Sequence, residues 1–159
     1  MIVIGNPRCL AFEILSDDLP GELAEVYIVV AGRRISGRAP VFVPTFVSEL
    51  EAFVRCQNSA SPSSDEEAFH LLHSVMESNE EAGGITVDDV WRYYCLHSID
   101  DAVDDWDIYV FDSGDKKRIV CRPVRGAGMT SDISDRIIGA SLSREEFNET
   151  FRQLISTLA

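Results

Sequence analysis

Basic side chains are scarce in this sequence. Its 14 lysines and arginines stand against 27 aspartates and glutamates, a net charge of −13. Such a chain repels phosphate backbones and anionic lipid, and it has no basic patch with interleaved aromatics of the kind that grips RNA or single-stranded DNA. Direct contact with nucleic acid or membrane is therefore not expected. No apolar run approaches the ~20 residues of a bilayer-spanning helix. The opening MIVIGNPR has neither the basic start nor the long apolar stretch of a secretion signal, so the expected location is the cytoplasm. Cysteines are few and far apart (Cys9, Cys56, Cys95 and Cys121), with no C-x-x-C pair, and read as reduced, mostly buried small hydrophobes.

Catalytic signatures are equally thin. His70, His73 and His97 are the only histidines. The first two lie three apart on a predicted helix, but zinc would need a third and fourth ligand that the neighbourhood does not offer. There is no G-x-S-x-G around a serine, and Gly126-Ala127-Gly128 is too short to cradle a phosphate. Asp100-Asp101-Ala102-Val103-Asp104 matches the D-D-x-x-D by which some prenyl-transferring enzymes hold Mg²⁺. Those enzymes are large and all-helical, and this chain reads as β-rich. An EF-hand is excluded because the central glycine and the terminal glutamate are missing. No catalysis, cofactor or metal is expected.

The acid that is present is concentrated. Residues 77–107 hold ten acids and one base, Arg92, which leaves −9 of the −13 in that segment. A field gathered in this way attracts basic partners with fast, salt-sensitive association. The partner-binding candidates are accordingly Glu80, Glu81, Asp88 and Asp89, followed by Asp100, Asp101, Asp104, Asp105 and Asp107. Beside them stand Trp91, Tyr93, Tyr94, Trp106 and Tyr109. Most of these belong in a core, and one or two could surface as interface anchors.

The acidic run feeds the clearest hairpin in the chain. Trp106, Ile108 and Val110 alternate with Asp107, Tyr109 and Phe111, the two-residue period of a strand covered on both faces. A turn at residues 112–115, with Gly114 free to take a positive φ, leads to a return strand at 118–122 bracketed by cations. Upstream, a short apolar start at 2–4 is followed by strands expected at 9–15 and 25–31 and a short third at 34–36, these pieces forming an antiparallel meander. Helices follow at about 45–57, with Phe46, Leu50 and Phe53 on its apolar stripe, and at 65–77, capped by Ser64 and Glu67. Residues 85–96 are ambiguous. Thr86 to Asp89 could start a helix, but Trp91, Tyr93 and Tyr94 favour a strand over 91–96, preceded by a helical turn at most. Residues 136–140 read as a short strand, and Ser143 with Glu146 caps a terminal helix whose Phe147, Phe151, Leu154 and Leu158 form one face. The expectation is a single α+β domain over residues 1–159, an antiparallel sheet with about three helices packed chiefly on one face.

The stretches MIVIGNPRCLAFEI, the strand closed by GRRI, PVFVPTFVSELEAFV, WDIYVFDSGDKKRIVCR and LSREEFNETFRQLIS together resemble the bacterial immunity-protein family numbered forty-two. Such proteins are encoded beside polymorphic toxins. The resemblance implies binding and neutralisation of a cognate toxin, without catalysis. The acidic segment would then face a basic toxin surface, most commonly a cleft that holds RNA or DNA. Two other classes fit the same composition: a cytoplasmic adaptor or chaperone for a secreted effector, and a small enzyme of unknown reaction.

Overall fold

The computed structural model describes residues 1–15, 21–35, 40–58, 62–96, 105–124 and 136–159. Asp100, Asp101, Asp104 and His97 lie outside them. In chain order the elements are β1 (Ile2–Asn6), β2 (Leu10–Leu15), β3 (Leu23–Val30), β4 (Arg33–Arg34), β5 (Val41–Phe42), α1 (Val43–Arg55) and α2 (Asp65–Ser78). They continue with the one-turn α3 (Val87–Asp89), a π-helix (Val90–Tyr94), β6 (Trp106–Ser113), β7 (Lys116–Pro123), β8 (Ile138–Ser143) and α4 (Arg144–Leu158). The α+β class and the antiparallel pairing expected from the sequence hold.

The strands divide between two sheets. The first runs β1-β2-β3-β4, with β5 paired to the start of β3, and the second runs β6-β7-β8. The registers bring like residues together: Phe12 lies opposite Ile4 on one side and Ile28 on the other, and Ile14 opposite Val26. Leu10, Phe12 and Ile14 therefore present one continuous apolar face, which α1 and α4 cover with Phe46, Leu50, Phe53, Phe147, Phe151 and Leu154. Phe151 is fully buried, edge-on to Phe12 at 5.3 Å and tilted against Phe147 at 4.5 Å. Such aromatic contacts add to the burial of area itself.

The β6–β7 hairpin is the wall between two cores. Trp106, Ile108, Val110, Ile119 and Cys121 point into the first. Tyr109, Phe111 and Val120, one residue out of phase, point into a second, where α2 and the π-helix meet them with Phe69, Leu72, Val75, Val90 and Tyr94. Period-two alternation sends successive side chains to opposite faces, so a strand apolar on both faces must be covered on both. Helices consequently lie on both sides of the second sheet. The hairpin closes through Gly114 and Asp115 between the paired Ser113 and Lys116, with Gly114 at φ 62°. A positive φ at the first central residue alone is the II′ pattern that glycine favours.

Local chemistry sets the helix ends. α1 begins at Val43, two residues before the expected start, with Pro44 in its first turn where the missing N–H costs nothing. α2 is capped by Ser64, whose hydroxyl accepts from the Glu67 N–H at 3.1 Å, while the Glu67 carboxylate turns back to Ser63. Asn79 ends it in the left-handed conformation, φ 58°. α4 opens on the full Ser143–Glu146 capping box. One glycine is demanded by a close approach. At Gly5, φ +90°, an added Cβ would sit 2.6 Å from the Leu10 carbonyl oxygen and 2.7 Å from Thr150 Cγ2.

Candidate partner-binding surface

The stretch at 85–96 departs from expectation. Residues 91–96 are not a strand: Thr86 caps α3, and the chain continues as a π-helix through Tyr94. The Thr86 hydroxyl accepts from the Asp89 N–H at 3.2 Å, and the Asp89 carboxylate takes the Thr86 N–H at 2.9 Å. This reciprocal box outweighs the β-preference of the aromatics that follow. A five-residue bond then closes the wide turn, from the Cys95 N–H to the Val90 carbonyl at 2.9 Å. Only the end of the stretch pairs as a strand would, with Cys95 bridging Tyr109 and the Leu96 N–H donating to the Ile108 carbonyl at 2.9 Å.

This geometry sorts the aromatics. Val90 and Tyr94, one wide turn apart, are buried in the second core, and Trp106 and Tyr109 are buried on β6. Trp91 and Tyr93 face outward, 45% and 36% exposed. They flank a groove against α1 that Glu49, Ala52, Phe53, Cys56 and Arg92 complete. Asn58 steadies that edge, its side-chain amide donating to the carbonyls of Tyr93 at 3.0 Å and Val110 at 3.1 Å. Of the five aromatics named beside the acidic residues, Trp91 and Tyr93 are the two that surface.

The predicted acidic residues that are described sit in several different elements. Glu80 and Glu81 are exposed in the connection between α2 and the Ala82–Ile85 bridge. Asp88 is exposed on α3. Asp89 beside it is committed to its cap, and the hydrogen bonds from Thr86 hold its carboxyl below the usual range, with a smaller contribution from Arg92. Asp105 is half-buried where β6 begins, and its carbonyl accepts from the Val124 N–H at 2.9 Å.

Asp107 belongs to a different constellation. Its carboxylate lies 3.5 Å from His73 Nδ1, in a cleft shared with Glu77, Arg122 and Val124. His73 is half-buried, stacked on Phe69 with ring centroids 5.2 Å apart. Arg122 Nη2 is 3.1 Å from His73 Nε2, and the guanidinium lies over Phe69, 4.5 Å from the ring centre. The Glu77 carboxylate approaches the same Nε2 at 3.1 Å, while Asp107 and the Tyr109 hydroxyl face Nδ1 at 3.5 and 3.4 Å. The charges here are mixed and mutually engaged. Burial raises the Tyr109 hydroxyl far above its ordinary value and pushes the Cys121 thiol up to about 12, so neither ionises near neutral pH. Among the described residues, no three His, Cys, Asp or Glu side chains gather as a metal site would require.

The fold is that of a small α+β protein with a solved counterpart. The crystal structure of CdiI from Burkholderia dolosa AUO158 matches with a TM-score of 0.67, covering 98% of this chain and 99% of that chain at 16% identity. Comparison with curated protein sequences gives no match. The family is shown by sequence: residues 1–157 match the model for immunity protein 42, and the chain belongs to that family. Its task is thus that of an immunity protein, the neutralisation of a toxin by binding it.

Proposed function

We propose that this protein neutralises its toxin by stoichiometric binding, without chemistry of its own, and that its acidic residues between 80 and 107 meet a basic surface on the toxin. The observation that carries the reading is the charge of residues 77–107, ten acids against one base in a family of toxin-neutralising proteins. A basic cleft is what a toxin that cleaves RNA or DNA presents to its substrate, so a nuclease-like toxin fits best. The acidic surface would then occupy the place of the phosphate backbone. The same field argues against nucleic acid or membrane as a direct partner, and the cytoplasm is where such a toxin would have to be met. Within the described residues, Glu80, Glu81 and Asp88 stand out to solvent for such a contact, whereas Asp89 and Asp107 already serve their own neighbours.

The test is a titration of the toxin domain encoded beside this chain's gene. Its activity on RNA and DNA should fall linearly to zero at one equivalent of the immunity protein, with active toxin recovered after denaturant separates the pair. Inactivation by a small fraction of an equivalent, or a toxin that comes back chemically altered, would point to an enzyme. A toxin without a basic surface, bound equally well at low and high salt, would remove the nuclease and acidic-contact readings.

A further inference from the structure

The acidic reading leaves unexplained why a large aromatic pair faces solvent on the π-helix. Trp91 is 45% and Tyr93 36% exposed, although Val90 and Tyr94 on the same turn are buried. The groove beside them has apolar walls from Ala52, Phe53 and Cys56 of α1, and a carboxylate, Glu49, on its rim. Arg92 also lines the groove, but lies close enough to Asp89 to lower its carboxyl, so part of its charge is answered locally. An indole face attracts a cation, and attracts it more strongly when a carboxylate sits beyond the ring and apolar walls displace water. The backbone that carries the pair is fixed beforehand by the Asn58 amide on the Tyr93 carbonyl and by the buried Tyr94 beneath it. A preformed anchor avoids the ordering cost that weakens most surface contacts.

We propose that the groove between α1 and the π-helix is the anchor point of the complex. It takes an arginine or lysine side chain of the toxin, stacked on Trp91 and paired with Glu49. This rests on the reading above, that the partner is a toxin with a basic surface. Another exposed apolar pair, Leu23 and Phe42 across β3 and β5, offers neither tryptophan nor tyrosine and serves as the control.

The experiment uses the full chain and the toxin domain encoded beside it, inactivated by a substitution at its own catalytic residue, with Kd and off-rates read by biolayer interferometry. Trp91→Ala should raise Kd at least about 30-fold, mainly through the off-rate, and Trp91→Phe only a few-fold. Glu49→Gln should cost about 5-fold. The double variant Trp91→Ala plus Glu49→Gln should lose less than the product of the two, because both act on one cation. Leu23→Ser should leave Kd within about two-fold of the parent, as surface positions outside a hot spot do. Parent-like affinity in Trp91→Ala and Glu49→Gln, with the parent still binding in a salt-sensitive way, overturns the anchor and leaves the acidic contact standing. No binding by the parent overturns both. If Trp91→Ala lowers the thermal midpoint, Trp91→Phe and Glu49→Gln decide.

Discussion

Asn58 and Asp112, 54 positions apart, are joined by two hydrogen bonds: the Asp112 N–H donates to Asn58 Oδ1 at 2.7 Å, and the Asn58 N–H donates to Asp112 Oδ2 at 3.1 Å. The remaining carboxylate oxygen faces Lys117 Nζ at 3.0 Å and an Arg144 guanidinium nitrogen at 3.3 Å, with the Asp112 side chain 6% exposed. The residues just beyond α1, the hairpin and the start of α4 are thereby tied at one buried point, and through the Asn58 amide so is the π-helix.

Replacing Asn58 with alanine removes the partner of the Asp112 N–H and of the Tyr93 and Val110 carbonyls at once. Partly buried polar groups left in this way cost about 1–3 kcal/mol. The urea midpoint should fall accordingly, and toxin affinity should fall with it because Tyr93 loses its support. An unchanged midpoint would show that water replaces the amide without loss.

Phe151 of α4 and Trp106 of β6 both lie in the first core. Phe151→Ala and Trp106→Ala should each destabilise by about 3–5 kcal/mol, the range for large buried aromatics, as read from urea unfolding.

Asp89 makes α3 sensitive to acid. Its carboxyl is held below the ordinary 3.8 by the Thr86 bonds, so the stabilisation is complete above that value and is lost as pH falls through the lowered one. The thermal midpoint of the parent should therefore exceed that of Asp89→Asn near neutral pH, and the two should converge only as pH falls below the lowered value. Glu146, lowered by its bonds from Ser143, should behave alike at α4. A gap that stays constant from neutral to acid would mean that these caps do not hold in solution.

Charge should govern approach more than retention. Converting Asp100, Asp101, Asp104 and Asp105 to asparagine removes four negative charges with little change of shape. The on-rate for a basic toxin should drop, and its dependence on salt should flatten, while the off-rate changes less. Stopped-flow association at two ionic strengths checks this. Equal rates and equal salt slopes for parent and variant would place the steering field elsewhere.

The sequence by itself determined the elements whose periodicity is strong and local. The alternation of Trp106, Ile108 and Val110 with Tyr109 and Phe111, the turn at Gly114, and the Ser143–Glu146 box before a four-residue apolar repeat each name one structure, because neighbouring residues alone satisfy them. Family texture was legible for the same reason: it is carried by those local patterns. Tertiary structure decided what periodicity leaves open. Between residues 86 and 94 a cap spoke for helix and the aromatics for strand, and the second core settled the matter by taking Val90 and Tyr94. That choice turned Trp91 and Tyr93 outward beside α1, a neighbour no local pattern names. Asp88 and Asp107 look alike in an acidic run, yet one faces solvent and the other faces His73 and Arg122. Their difference lies in which residues from 15 to 34 positions away fold against them, and only packing brings those together.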